Sequence, residues 1–171
     1  VWGTRLQFCP DDPRHVIAAV RRGALVSRDA GLTWERIAAL GTRDVLDVEF
    51  TSDCDRVYVS AYREGVFRLD GDVLSGPLNT GFDIEIARFQ ARLAASPDDR
   101  DVVLAATHTG LYRSHDGAAT WHLIDAAPGL AVVDLASDPV HTWLTTAGSG
   151  LWRRTETTPW RRVTAMPRDF T

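Results

Sequence analysis

Ser27-Arg28-Asp29-Ala30-Gly31-Leu32-Thr33-Trp34 returns 87 residues later as Ser114-His115-Asp116-Gly117-Ala118-Ala119-Thr120-Trp121. Both copies read S-x-D, then small residues, then T-W. Each follows a glycine-led apolar run, Gly23-Ala24-Leu25-Val26 in the first and Gly110-Leu111-Tyr112-Arg113 in the second. The same ungapped shift matches Arg5 to Arg92, Leu6 to Leu93, Pro10-Asp11-Asp12 to Pro97-Asp98-Asp99, Val16 to Val103, Ala18-Ala19 to Ala105-Ala106 and Ile37 to Ile124. An Asp at a turn accepts N–H bonds from the backbone ahead of it, and Ser does so more weakly. Small residues tolerate a tight backbone, and Thr and Trp suit a half-buried pleated strand. The stretch therefore predicts a self-capped hairpin with its Trp buried against a neighbouring sheet, inside a chain made of repeats.

Working outward, short apolar runs alternate with turns. In the first repeat the strands are Arg5 to Phe8, His15 to Val20, Ala24 to Ser27 and Trp34 to Ala38, separated by Pro10-Asp11-Asp12-Pro13, by Arg21-Arg22-Gly23 and by the S-x-D turn. Four strands in about 40–45 residues is the period of a propeller blade. The leading glycines at 23, 65, 110 and 150 are 42, 45 and 40 residues apart. The fold class is thus all-β, a β-propeller of four-stranded antiparallel blades, with blades at approximately 2–40, 45–78, 91–126 and 131–164. Repeats one and three carry intact S-x-D turns. The second, whose inner strand reads as Val48-Glu49-Phe50, keeps Asp70-Gly71-Asp72 without the Trp, and the fourth, Thr155 to Trp160, keeps its Trp. Asp83 to Leu93 can be drawn as a short helix, but the match of Arg92-Leu93 to Arg5-Leu6 favours a long loop feeding a strand. Met166 to Thr171 reads as a tail or the start of a further blade.

The repeated stretch resembles the Asp-box (BNR-type) repeat of sialidase-like, sortilin-like, xyloglucanase-like and photosystem II assembly-factor-like β-propellers. The residues that carry the resemblance are Ser27, Asp29, Gly31, Thr33 and Trp34, then Ser114, Asp116, Gly117, Thr120 and Trp121, with the glycine displaced by one in the second copy. In that family the box is a folding device on the face away from the active site, so the resemblance implies that Asp29 and Asp116 are structural. It also implies rings of six or more blades. Four blades are then a compact ring, half of a ring completed by a second copy, or part of a longer chain. Completion by other polypeptide is favoured, because an open arc exposes apolar sheet faces. A first residue Val1 that already reads as strand points the same way.

Composition is that of an ordinary globular chain, 44% apolar and 25% charged. A net charge of −4 gives no case for a nucleic-acid partner. All 19 basic residues are Arg, which excludes a Schiff-base lysine and makes every basic contact a planar fork suited to carboxylate or phosphate. Cys9 and Cys54 each fall near the end of a predicted inner strand, and a disulfide and a pair of buried thiols are both open. No apolar run approaches the ~18 residues of a spanning helix. The histidines show no metal-ligand spacing, and neither a metal nor a cofactor is expected.

In an up-and-down blade the S-x-D turns share one face, which leaves the opposite face for loops that carry function. Its hairpin tips are Arg21-Arg22, Arg63-Glu64, His108-Thr109 and Gly148-Ser149, and its blade connections contribute Arg43 and Arg88. Arg5 and Arg92 start inner strands on the same face. These eight candidates, Arg5, Arg21, Arg22, Arg43, Arg63, Arg88, Arg92 and His108, describe an arginine-rich rim able to grip carboxylate or phosphate through paired hydrogen bonds. The leading expectation is a non-catalytic binding or assembly module for a protein partner or acidic ligand, or an arc completed by further blades or by a second copy. The alternative is a fragment of a sialidase-like or xyloglucanase-like glycoside hydrolase acting on carbohydrate, its site completed by further blades. For that reading Tyr58, Tyr62 and Tyr112 are available nucleophiles, and Asp44, Asp47, Glu64, Asp83, Glu85 and Asp134 the carboxylates. The sialidase Arg-Ile-Pro stretch is absent, which weighs against it.

Overall fold

The computed structural model describes residues 3–83, 85, 90–125 and 132–164. Among them are sixteen strands in four antiparallel sheets, each a meander of consecutive strands. Blade 1 is β1 (Gly3–Phe8), β2 (Val16–Val20), β3 (Gly23–Ser27) and β4 (Glu35–Arg36). Blade 2 is β5 (Val45–Phe50), β6 (Arg56–Ala61), β7 (Gly65–Asp70) and β8 (Val73–Ser75). Blade 3 is β9 (Ala91–Ala95), β10 (Val103–Thr107), β11 (Leu111–Ser114) and β12 (His122–Asp125). Blade 4 is β13 (Val132–Ser137), β14 (His141–Thr146), β15 (Gly150–Thr155) and β16 (Arg161–Arg162). The protein is a β-propeller of four blades, and no described helix is long and apolar enough to cross a membrane.

The S-x-D turns have the same geometry in both copies. Ser27 Oγ donates to Asp29 Oδ1 at 2.8 Å and accepts from Gly31 N–H at 2.8 Å. Asp29 also accepts from Thr33, through its N–H at 2.8 Å and its hydroxyl at 2.5 Å. Ser114, Asp116, Ala118 and Thr120 repeat these bonds at 2.8, 2.9, 2.9 and 2.6 Å. The displaced glycine is accounted for by the backbone. The two residues after the Asp are both left-handed, Ala30 and Gly31 at φ 59° and 88°, and Gly117 and Ala118 at 67° and 71°. One glycine in either place relieves part of the strain, and the hydrogen-bonded Ser and Asp hold the alanine.

Blades pack through shared apolar layers. Ile17 and Ala19 of blade 1 lie against Val48, Phe50 and Val59 of blade 2. Tyr58 and Val66 of blade 2 lie against Leu93, Ala105, Tyr112 and Trp121 of blade 3. Leu104 and Leu111 of blade 3 lie against Leu135 and Leu144 of blade 4. Among the described residues no core layer joins blade 4 to blade 1. Cys9 and Cys54 form a disulfide, which ties the end of the first inner strand to the turn after β5.

Arginine forks stitch the blades at their edges. Arg56 pairs with Asp70 at 2.7 Å and with Asp101 of blade 3, Arg68 donates to the Gly117 carbonyl at 2.9 Å, and Arg113 pairs with Glu156 of blade 4 at 3.0 Å.

Three expectations are corrected. Trp121 is 2% exposed, stacked on Phe82 with ring centroids 4.7 Å apart, and its indole N–H donates to Leu78 O at 2.9 Å. Trp34, expected to be buried like it, is 39% exposed. Trp121 is covered by blade 2 and the segment leaving it. No described blade covers Trp34, and its indole N–H turns back to its own Gly31 O at 3.0 Å. The fourth strand of blade 1, expected over Trp34 to Ala38, is shortened to Glu35–Arg36, and one 3-10 turn at Ala38–Leu40 carries Leu40 into the first core layer. The second inner strand, expected at Val48-Glu49-Phe50, begins three residues earlier at Val45. Of the Asp83 to Leu93 segment, residues 83, 85 and 90 are non-helical and Ala91 to Leu93 already belong to β9. The rest of the segment, Arg88 included, lies outside the described residues, as do 126–131 and the 165–171 tail.

Candidate functional site

The face opposite the S-x-D turns is assembled from hairpin tips and blade connections, and backbone bonds hold it together. Gly23 N–H donates to Arg43 O at 2.7 Å, which seats the β2–β3 tip on the first connection. Tyr62 N–H donates to Asp44 O at 2.8 Å, which seats the β6–β7 tip on the same connection. Arg21 and Arg22 are exposed at the first tip, and Arg63 is exposed at the second, where its guanidinium lies 4.9 Å over the Tyr62 ring. Arg43 sits between the tips but is already engaged. It pairs with Glu64 at 3.0 Å, donates to Leu40 O at 3.1 Å and lies 4.7 Å over the Phe67 ring. The structure thus brings Arg21, Arg22, Arg43 and Arg63 to one patch across blades 1 and 2.

Arg5 and Arg92 take a different place, in the channel among the inner strands. Arg5 donates to Asp134 of blade 4 at 2.7 Å and lies 3.4 Å from Asp47 of blade 2. Arg92 donates to Leu46 O at 2.6 Å and to Val133 O at 2.8 Å, spanning blades 2 and 4. Asp47 is fully buried, with its oxygens accepting the Val48 and Leu93 N–H groups at 3.0 and 2.8 Å. Burial pushes its carboxyl up to about 6, against the opposing pull of the Leu93 N–H and of Arg5 and Arg92. Glu49, two residues along the same strand face, accepts from Gln7 at 2.9 Å. Burial, helped by the charge on Asp47, pushes Glu49 up to about 8. Asp47 and Asp134 stood among the candidate carboxylates, whereas Glu49 and Gln7 were missed. The signal was present: two acids two residues apart within an apolar strand fall on one face.

His108 and Arg92 are brought together on the wall of a cavity of about 320 Å3 that Leu46, Gln90, Ala91, Ala106, Thr107 and Val132 complete. The candidate tyrosine nucleophiles are elsewhere. Tyr58 is buried between blades 2 and 3 and donates to Arg100 O at 2.7 Å, and Tyr112 is buried with its hydroxyl on Thr109 at 3.0 Å. Tyr62 lies under Arg63.

No protein-family model and no curated protein matches the chain. Solved structures do. A GH74 xyloglucanase from Xanthomonas campestris is 18% identical at a TM-score of 0.69, over 98% of this chain and 31% of that one. YCF48 from Cyanidioschyzon merolae is 17% identical at a TM-score of 0.69, over 95% of this chain and 57% of that one. YCF48 bound to D1 peptide is 17% identical at a TM-score of 0.66, over 92% of this chain and 52% of that one. At these identities the likeness is one of fold, and the chain spans from under a third to a little over half the length of these propeller proteins.

Proposed function

We propose that this chain is a non-catalytic propeller module that captures an acidic segment of a partner protein on the face opposite the S-x-D turns, which we read as Asp boxes. The observation that carries the reading is the patch of Arg21, Arg22 and Arg63, three exposed guanidinium groups on neighbouring hairpin tips held in place by the backbone of one connection. Each fork can take one carboxylate through two bonds. YCF48, a structure with the same fold, has been solved with a peptide bound, which supports a propeller of this kind holding a protein segment. The test is binding of a fluorescent Asp/Glu-rich peptide to the wild type and to Arg21→Ala/Arg22→Ala/Arg63→Ala. Capture weakens at least tenfold, about 1.4 kcal/mol, with the melting temperature unchanged. Equal capture by the triple variant refutes the reading.

The fold shared with GH74 enzymes keeps a glycoside hydrolase as the second reading, with Asp47, Glu49 and Asp134 of the channel as its carboxylates. Against it, Asp47 is enclosed and spends both oxygens on backbone N–H groups. Release of a fluorophore from any aryl glycoside by the purified chain, abolished in Asp134→Asn, favours this second reading over the first.

A further inference from the structure

Among the described residues no blade packs on the outer faces of blades 1 and 4, and the internal repeat tells what each is built to meet. On blade 1 the open face carries Leu6, Phe8 and Trp34, 51%, 53% and 39% exposed. The 87-residue shift places them on Leu93, Ala95 and Trp121, which blade 3 packs against Tyr58 and Val66 of blade 2. The open face of blade 1 is therefore of the kind that blade 3 covers with blade 2.

The open face of blade 4 has the matching character. In blade 2 the strand register puts Asp47, Ser60 and Val66 in one row and Tyr58 and Arg68 in the next, all on the face turned to blade 3. Three contacts define how that face works. Tyr58 and Val66 cover the Leu93 and Trp121 layer, Asp47 accepts the Leu93 N–H at 2.8 Å, and Arg68 donates to the Gly117 carbonyl of the S-x-D turn at 2.9 Å. In blade 4 the register puts Asp134, Thr145 and Leu151 in one row and Trp143 and Arg153 in the next. Asp134 caps the N–H of the following residue, Leu135, as Asp47 caps that of Val48, and each acid is approached by Arg5. Acid, aromatic, hydroxyl, aliphatic and arginine recur position by position. Their receivers recur on blade 1, where Leu6 stands at the register of Leu93 and Ala30 at that of Gly117.

We propose that the open face of blade 4 in one copy of this chain docks on the open face of blade 1 in a second copy, head to tail, repeating the contact between blades 2 and 3. Leu151 and Trp143 cover Leu6, Phe8 and Trp34, and Arg153 reaches the Ala30 carbonyl. Such a contact is heterologous, so each copy keeps one face of each kind for the next, and the assembly closes into a ring or runs on as a string. The inference is independent of the arginine patch, which lies on the loop face and not at the ends.

The test uses two variants of the 171-residue chain in native mass spectrometry and sedimentation. Phe8→Asp blocks the blade 1 face and Leu151→Asp the blade 4 face. Thr145→Arg, at an exposed position, serves as a second block of blade 4 should Leu151→Asp melt early. The wild type assembles, and each variant alone runs as a monomer with unchanged circular dichroism. An equal mixture of the two gives a one-to-one heterodimer, because one intact face of each kind remains. A wild type that stays monomeric at its highest soluble concentration overturns the proposal. So does a single variant that still assembles, or a mixture that remains monomeric, as a face-to-face contact between like ends would leave it.

Discussion

Trp34 and Trp121 occupy the same place in the repeat and differ in one respect, whether a blade covers them, so truncating each to Ala measures what that covering contributes. A buried Trp side chain removes about 150–250 Å2 from water, and at ~25 cal/mol per Å2 this is worth about 4–6 kcal/mol, an upper figure because the unfolded chain is itself partly compact. Trp121, at 2% exposure, draws on nearly all of it and adds the stack on Phe82, which contributes another ~1 kcal/mol. Trp34, at 39% exposure, rests against its own turn and keeps its N–H bond within it. Trp121→Ala is expected to lose about 4–5 kcal/mol and Trp34→Ala about 2. For a chain of this size that difference separates the two melting temperatures by roughly 5–10 °C. Urea unfolding followed by circular dichroism gives both values, at a concentration low enough that the chain is monomeric by sedimentation. Equal losses there would refute the reasoning, since Trp34 would then be covered within one copy and the arc closed by blade 4 on blade 1.

Acid should act on the two S-x-D turns together. The Thr33 and Thr120 hydroxyls, with their N–H groups and the serines, hold the Asp29 and Asp116 carboxyls down to about 2 from 3.8. The unfolded chain therefore takes up these protons first, and the stability they give is whole above about pH 4 and falls away as pH drops toward 2. Asp29→Asn/Asp116→Asn starts less stable at pH 7 and shows a shallower fall over that interval in a urea-midpoint titration; the same slope as wild type refutes the assignment. Glu49 has the opposite sign. Its folded value of about 8 stands above the usual 4.5, so ionising it weakens the fold progressively from about pH 4.5 to 8, and Glu49→Gln flattens that limb. Reducing the Cys9–Cys54 bond opens a loop of 45 residues. The chain-entropy relation puts the loss near 4 kcal/mol, read as a lower urea midpoint in dithiothreitol, and an unchanged midpoint counts against a role for the bond.

The sheets were legible because each blade writes its own punctuation. The glycines at 23, 65, 110 and 150 begin or directly precede the third strand of each blade, and every one of those strands runs antiparallel to the strand before it. Local chemistry alone fixes the S-x-D turn, so two sequences with the glycine in different places gave one geometry. Trp34 was misread for the complementary reason. Its burial depends on a neighbour that its own repeat does not contain, and a motif that predicts a turn cannot predict what lies across from it. Blade 3 shows the motif with its neighbour, blade 1 without.

The arginine rim divides along the same line between local and tertiary information. Hairpin position is enough to put Arg21, Arg22 and Arg63 in solvent, because a tip is exposed wherever the blade sits. Arg5 and Arg92 share their face in sequence terms, yet their forks are taken up by Asp134 and Asp47 and by the Leu46 and Val133 carbonyls, partners 41 to 129 residues away. In a chain without lysine, fixing blade to blade and gripping a ligand fall to the same side chain, and only packing separates the two uses. Arg56, Arg68 and Arg113 fall wholly on the fixing side. A guanidinium already engaged with Asp134 or with inner-strand carbonyls has little left for an acidic partner, and removing Arg5 also takes a cation from beside the fully buried Asp47. Truncating Arg5 or Arg92 should therefore lower stability before it lowers binding, the reverse of the order expected for Arg21, Arg22 and Arg63, and that reversal separates a fastening arginine from a gripping one.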